Sequence, residues 1–320
     1  MTEELNAVAD GMLMGRLLRH RQRNRLSFEY NPEWQDRPEA FPLSVSMPLA
    51  ASSHGDRHVR PFLEGLLPDN DRVLEQWAKR FKVSRRNPFA LLRYVGEECA
   101  GAVQFIHPDR IQQWSGSPKS GRITWLTRRQ LEDRIQLLVK DHSAARTGSD
   151  SGHFSLAGAQ AKTAFHWDAT RRRWGVPEGP IPTTHILKPA TGEYDGLILN
   201  EHFCLQLAGA IGMPAVQSTI ENIGGYPVIV IERYDRFVTG GRIRRVHQED
   251  FCQALGVSPH DKYQNQGGPD VVLIGQLIRD QSAETQTDLW RFADALVFNW
   301  LVSGTDAHAK NYSLLIGPSG

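Results

Sequence analysis

The chain has 320 residues, 40% of them hydrophobic, with 37 basic residues against 36 acidic ones. That length supports a sizeable core divided among two or three units of ordinary size, and the near-neutral balance argues against a general nucleic-acid binder. No apolar run approaches the roughly 20 residues of a membrane span, the N-terminus lacks a basic start followed by an apolar core, and Cys99, Cys204 and Cys252 lie far apart without a Cys-x-x-Cys pair, so reduced thiols in a soluble cytoplasmic protein are expected.

Residues 1–140 read as a β-rich unit of short alternating runs punctuated by Pro and Gly. Between Phe41 and Leu49 the odd positions are mostly apolar, a strand signal. Arg16, Arg19, Arg21, Arg23 and Arg25 crowd one stretch, read as a solvated loop or hairpin, with a face for an acidic partner as the alternative. Phe62–Pro68 and Val73–Phe81 predict a helix, a proline break and a second helix. Residues 141–153, rich in Ser, Gly, Thr and Asp, read as a linker.

Residues 154–235 form the next expected unit. It opens on Phe154-Ser155-Leu156-Ala157-Gly158-Ala159-Gln160-Ala161-Lys162-Thr163, a small-residue loop closed by a lysine and a threonine. A Walker-type loop wants glycines at positions 156 and 161 and a helix directly afterwards. Instead, Thr163–Trp167 and Arg172–Val176 flank the turn Asp168–Arg171, a hairpin pattern that argues against a P-loop hydrolase built on Lys162. A small-residue loop opening a hairpin cradles phosphates with backbone N–H groups in kinases; a plain tight turn is the alternative. Thr184–Lys188 predicts a strand ended by Pro189, and Gly196–Ile211 a helix stopped by Gly212 and Pro214. Glu201 lies among Leu197, Leu205 and Ala208 on that helix, so Lys188 and Glu201 are expected to pair, since an unmatched buried charge costs about 3 to 5 kcal/mol. Cys204 is expected in the core. Pro227–Glu232 predicts an apolar strand running into Arg233-Tyr234-Asp235-Arg236.

Residues 236–320 read as a helical region. Val271–Arg279 predicts one helix, and Leu289, Phe292, Ala293, Leu296, Val297, Trp300 and Leu301 mark another, capped by Asp288, stopped by Gly304 and buried nearly all round. This helix delivers Ser303-Gly304-Thr305-Asp306-Ala307-His308-Ala309-Lys310-Asn311. Asp-x4-Asn is the spacing of a kinase catalytic loop, where Asp accepts the substrate hydroxyl's proton and Asn holds magnesium against the phosphates; loop capping is the bland alternative. Tyr312–Ile316 predicts a strand and residues 317–320 a turn.

Taken together, the Ser155 loop, Thr184–Lys188, Glu232–Arg236 and Thr305–Asn311, with Asn31–Trp34, Leu66-Leu67-Pro68-Asp69 and Gln248–Asp250, resemble the HipA-like serine/threonine kinases, toxins of bacterial toxin-antitoxin pairs. The resemblance implies an α+β, protein-kinase-like two-lobed fold with an added N-terminal β-rich subdomain. It implies ATP and Mg²⁺ as cofactors, Asp306 as catalytic base and Asn311 as a magnesium ligand. Ala157, Gly158, Ala159, Gln160, Ala161, Lys162, Lys188, Glu232, Arg233, Tyr234, His308 and Asn311 are implied to line ATP, and Ser155 to be the self-phosphorylated residue whose modification expels the loop. The implied partners are a small helix-turn-helix antitoxin bound to DNA and a protein substrate, glutamyl-tRNA synthetase.

One departure stands out. The family carries a second metal-binding Asp beyond a hairpin that follows the Asn, and here only the first strand and its turn precede Gly320. The C-terminal lobe is therefore expected to be cut within the active site. The 320-residue chain alone is then expected to be inactive and poorly soluble, with a strand at 312–316 lacking its partner. A non-catalytic remnant that binds antitoxin or nucleotide is the alternative.

Overall fold

The computed structural model describes residues 2–114, 121–145, 154–191 and 196–317. Its first unit is built on β1 (Thr2–Ala9), β2 (Met12–His20), β3 (Arg25–Tyr30), α1 (Pro32–Gln35), β4 (Ser53–Gly55), α2 (Asp56–Gly65), α3 (Asp71–Phe81), α4 (Pro88–Val95) and β5 (Gln104–Ile106). The strands form an antiparallel sheet in the order β4-β3-β2-β1-β5. Asp10 and Gly11, both at positive φ, make the tight β1–β2 turn. Asn70 and Asn87 cap α3 and α4 through their side chains. Leu17, Phe28, Phe62, Leu63 and Phe105 are fully or almost fully buried where sheet and helices meet. The arginine-rich stretch is the β2–β3 hairpin, with Arg19 and Arg21 paired to Glu3.

The second unit holds β6 (Arg122–Trp125), α5 (Arg128–Lys140), β7 (Thr163–Asp168), β8 (Arg173–Glu178), β9 (His185–Pro189), α6 (Leu197–Ala210), β10 (Ser218–Ile223) and β11 (Tyr226–Glu232). Its antiparallel sheet runs β10-β11-β9-β7-β8-β6. Leu131 and Ile135 of α5 pack with Phe165, Trp174 and Leu187, so residues 122–140 belong with this sheet and not with the first unit where the sequence placed them. A short strand and a helix carry no mark, in sequence, of the sheet they join. Residues 146–153 of the expected linker lie outside the described residues.

The remainder comprises β12 (Arg236–Thr239), β13 (Arg242–Arg245), β14 (His247–Asp250), α7 (Phe251–Leu255), α8 (Val271–Gln281), α9 (Thr285–Leu301) and β15 (Ser313–Ile316), with β12 paired to β13 and β14 to β15. Among the described residues no helix is long and apolar enough to cross a membrane.

Several expectations need correction. Residues 41–49 are not a strand. Side chains satisfy that backbone instead: Leu43 N–H donates to Tyr30 Oη at 2.8 Å, Val45 N–H to Glu249 Oε1 at 2.8 Å, and Tyr30 Oη donates to Met47 O at 2.5 Å. The helix α9 starts at Thr285, and Asp288 sits inside it, accepting from Ser282 Oγ at 2.7 Å. Its apolar stripe is covered on one side only, by Phe251 and α8, and Trp290, Val297, Trp300 and Leu301 stay exposed. The strand β15 does have a partner, β14, reached from earlier in the chain. Cys204 is half-buried, whereas Cys99 and Cys252 are buried.

Candidate active site

The loop 154–162 is anchored by two apolar side chains, Phe154 and Leu156, which pack against Ala164 and Ile186. Ser155 between them is completely buried. Its N–H donates to Glu98 O and its Oγ to Leu66 O, both at 2.8 Å. Gly158 adopts φ +101, a conformation that favours glycine, and a Cβ there would stand 2.6 Å from Lys162 Nζ, so the folded-back lysine end would have to shift. Lys162 Nζ donates to Ala157 O at 2.5 Å. Burial, then Lys188, push its pKa down to about 7.

The strand β9 presents Lys188, whose Nζ lies 2.5 Å from Glu201 Oε1 on α6. The other oxygen, Glu201 Oε2, is buried without a hydrogen-bond partner. After β11 the three residues expected to line ATP diverge. Glu232 and Tyr234 are exposed. Arg233 is not available to a ligand: it is buried, its guanidinium donating to Asp235 Oδ2 at 2.7 Å, Glu98 Oε1 at 3.1 Å and Thr183 Oγ1 at 2.9 Å, and its N–H to Thr184 O. A guanidinium at the end of a buried strand needs carboxylates, and those come from Asp235 and from Glu98 in the first unit.

The Asp306 loop leaves α9 through Ser303 at φ +56, while Gly304 N–H donates to Asn299 O at 2.7 Å. Asp306 keeps an exposed carboxylate that accepts from Tyr263 Oη at 2.9 Å. That bond raises the Tyr263 pKa. Asn311 Nδ2 donates to Asp306 O at 2.5 Å and Asn311 N–H to His308 O at 2.9 Å, so the loop closes on itself and holds Asp and Asn side by side. His308 is buried with Nδ1 unpartnered, and burial lowers its pKa. Lys310 pairs with Asp69, as does Lys262 at 3.5 Å. Burial pushes the Asp69 carboxyl up, but Lys310 and Lys262 outweigh it and hold it below the usual range.

Sequence reasoning passed over Asp69, Lys262 and Tyr263 as site residues. Leu66-Leu67-Pro68-Asp69 was visible as a motif, yet only the fold brings it beside Gly158 and Lys310. A cleft of about 560 Å³ opens on the outer side of this junction, lined by Glu64, Asp69, Arg85, Arg86, His260 and Lys262 among others.

The groups present suit a polyphosphate. Lys162 is a desolvated amine whose proton an anion would restore, and His308 Nδ1 is a buried ring nitrogen with unused hydrogen-bonding capacity, whereas the unpaired Glu201 Oε2 is an acceptor that serves Lys188 and not an anion. For magnesium the donors are sparser. Among the described residues no group of three or more His, Cys, Asp or Glu side chains is placed to hold a metal, which leaves Asn311 and Asp306 beside whatever phosphate oxygens a nucleotide brings.

The family model for the HipA-like C-terminal domain matches residues 154–320, and that for the HipA N-terminal domain matches residues 5–106. The chain is 36% identical over 317 residues to Y4mE of Sinorhizobium fredii, covering 99% of this chain and 74% of that protein. It is 30% identical over 325 residues to the serine/threonine-protein kinase toxin HipA of Shewanella oneidensis, covering 97% of this chain and 70% of that one. A chain of the solved Shewanella oneidensis MR-1 complex of HipA, HipB and operator DNA superposes with a TM-score of 0.76 at 27% identity, over 99% of this chain and 73% of that chain. With residues 5–106 and 154–320 matched in this way, the chain belongs to the HipA-like family of kinase toxins.

Proposed function

We propose that the chain binds ATP between the 154–162 loop, Lys188 and the Asp306–Asn311 loop, and that these residues serve γ-phosphoryl transfer to a serine or threonine of a protein. The observation that supports this best is that Lys162 lies within electrostatic reach of Lys188 and of Lys310, and that Lys310 belongs to the loop in which Asp306 keeps an exposed carboxylate and Asn311 bonds the Asp306 backbone. When bound, ATP supplies the transferable group and Mg²⁺ neutralises charge on its oxygens. Asp306, oriented by Tyr263, accepts the acceptor hydroxyl's proton at its carboxylate. Lys188, held by Glu201, and Lys162 orient and neutralise the phosphates. Asn311 would contribute its side-chain oxygen to the metal, and Glu232, Tyr234 and His308 would flank the nucleotide.

On the family reading, glutamyl-tRNA synthetase is the acceptor, Ser155 is an acceptor in cis, and a helix-turn-helix antitoxin tethers the chain to DNA. The Shewanella complex, which contains HipA with HipB and operator DNA, supports the last of these. The sparse set of metal donors favours one alternative, a protein that binds nucleotide without transferring phosphate. Incubation with γ-labelled ATP, Mg²⁺ and the synthetase separates them. Transfer that Asp306→Asn removes, with ATP affinity changed less than about twofold, supports the kinase. Binding without transfer in the parent chain supports the alternative, and transfer surviving in Asp306→Asn contradicts the assignment of the base.

A further inference from the structure

Two loops of the candidate site come from distant parts of the chain, and the same short segment of the first unit touches both. Asp69 N–H donates to Gly158 O at 3.4 Å, Asn70 Nδ2 to Ala159 O at 3.3 Å, and Leu66 O accepts from Ser155 Oγ at 2.8 Å. The Asp69 carboxylate meanwhile pairs with Lys310, whose side chain is almost wholly buried and lies between His308 and Asn311 in the loop, and with Lys262 at 3.5 Å. Lys262 in turn accepts Ala309 N–H on its carbonyl at 3.4 Å. One residue thus bridges the loop expected over the phosphates and the loop expected to carry the base.

We propose that Asp69 is a positioning residue that holds the 154–162 loop and the Asp306–Asn311 loop in register, making the first unit a working part of the site. Its backbone fixes one loop and its carboxylate the other, so displacement of either is felt by both. Removing the carboxylate leaves Lys262 and Lys310 without their counter-ion, Lys310 almost wholly buried and within electrostatic reach of Lys162, and such groups move toward water. Release of the Lys310 side chain frees the turn that sets the Asp306 to Asn311 spacing. Release of residues 66–70 frees the hydrogen bonds that keep Ser155 buried. The inference goes beyond the kinase reading, because it concerns coupling between two loops whether or not phosphate is transferred.

The test is amide hydrogen exchange on the 320-residue protein and its Asp69→Asn, Asp69→Glu and Lys310→Met variants, with ATP affinity measured alongside. The expected result for Asp69→Asn is exchange faster by on the order of tenfold in peptides covering both 155–162 and 306–312, with the β1–β2 peptides unchanged. Asp69→Glu restores much of the protection, and Lys310→Met loosens the 155–162 peptide although it does not touch it. Unchanged exchange in either loop overturns the inference, as does a uniform rise across all peptides, which marks general destabilisation. Should Asp69→Asn fail to fold, Asp69→Glu and Lys310→Met decide the matter by the same criterion. Coupled loosening in a protein that binds no ATP leaves this inference standing and removes the nucleotide reading instead.

Discussion

Lys162 folds back onto the Ala157 carbonyl, and burial together with Lys188 lowers its pKa to about 7 from an ordinary lysine value of 10.5. Between those values the unfolded chain carries a proton that the folded chain lacks, so this residue makes stability rise with pH across that window and costs nothing more once pH exceeds the unfolded value. A bound polyphosphate reverses the balance by favouring the ammonium. ATP affinity is therefore expected to weaken as pH rises above about 7, by up to about tenfold per unit, with proton uptake on binding seen by calorimetry in buffers of different ionisation enthalpy. Lys162→Met should flatten that slope. At this scale the sequence was informative where chemistry is local. The pairing of Lys188 with Glu201 follows from a carboxylate among apolar helix neighbours, and the structure puts the two in contact. For Arg233, nothing near it in sequence announces Glu98, the buried partner of its guanidinium from 135 positions earlier.

At the scale of elements, the Ser155 loop carries the clearest prediction. The hydroxyl is completely buried and donates to a carbonyl oxygen at 2.8 Å. A phosphoryl group has no proton to give that carbonyl and no space beside it, so a phosphorylated Ser155 must leave with its loop. The expected outcome is that Ser155→Glu speeds exchange in the 155–162 peptide and lowers ATP affinity by about tenfold or more, while Ser155→Ala stays close to the parent. Equal affinity in the Ser155→Glu protein would contradict this account. The β7–β8 hairpin, the α6 helix and the α9 mount were all readable, since each rests on periodicity and turn residues close together in sequence. The false strand at 41–49 had the period of a strand but no free ladder to join, its N–H and C=O groups being taken by Tyr30, Glu249 and His247. The apolar face of α9 announced burial, whereas the packing covers only part of it.

For the molecule as a whole, the first unit is joined to the rest of the chain by a buried charge cluster. Glu98, between α4 and β5, accepts from Arg233 at 3.1 Å, Arg236 at 3.0 Å and Thr183 Oγ1 at 2.6 Å, and pairs with Arg245 at 2.5 Å. Asp235 pairs with Arg233 and Arg236 and accepts Gly101 N–H at 2.8 Å. Burial pushes the Glu98 carboxyl up, but the three guanidiniums outweigh it and hold it far below the usual carboxylate range. Its contribution is thus complete above that range and is lost as pH falls below it. Glu98→Gln should cost about 3 to 5 kcal/mol, because it leaves buried guanidiniums short of a counter-ion, a loss that urea denaturation would show directly. An effect below about 1 kcal/mol would mean that the cluster is solvated and does not join the units. No local reading of the sequence finds this cluster, whose members are separated by up to 147 positions. The broad architecture was legible through family motifs, but the way the first unit packs into the site was not.

The central claim is that the 154–162 loop, Lys188 and the Asp306–Asn311 loop together form a nucleotide site. Equilibrium titration of the 320-residue chain with a fluorescent ATP analogue, in parallel with Lys188→Ala, tests it most directly. Saturable binding that is competed by ATP and weakened about tenfold or more in the variant, whose fold is retained by circular dichroism, is the predicted result. Absence of saturable binding, or equal affinity in parent and variant, would contradict it.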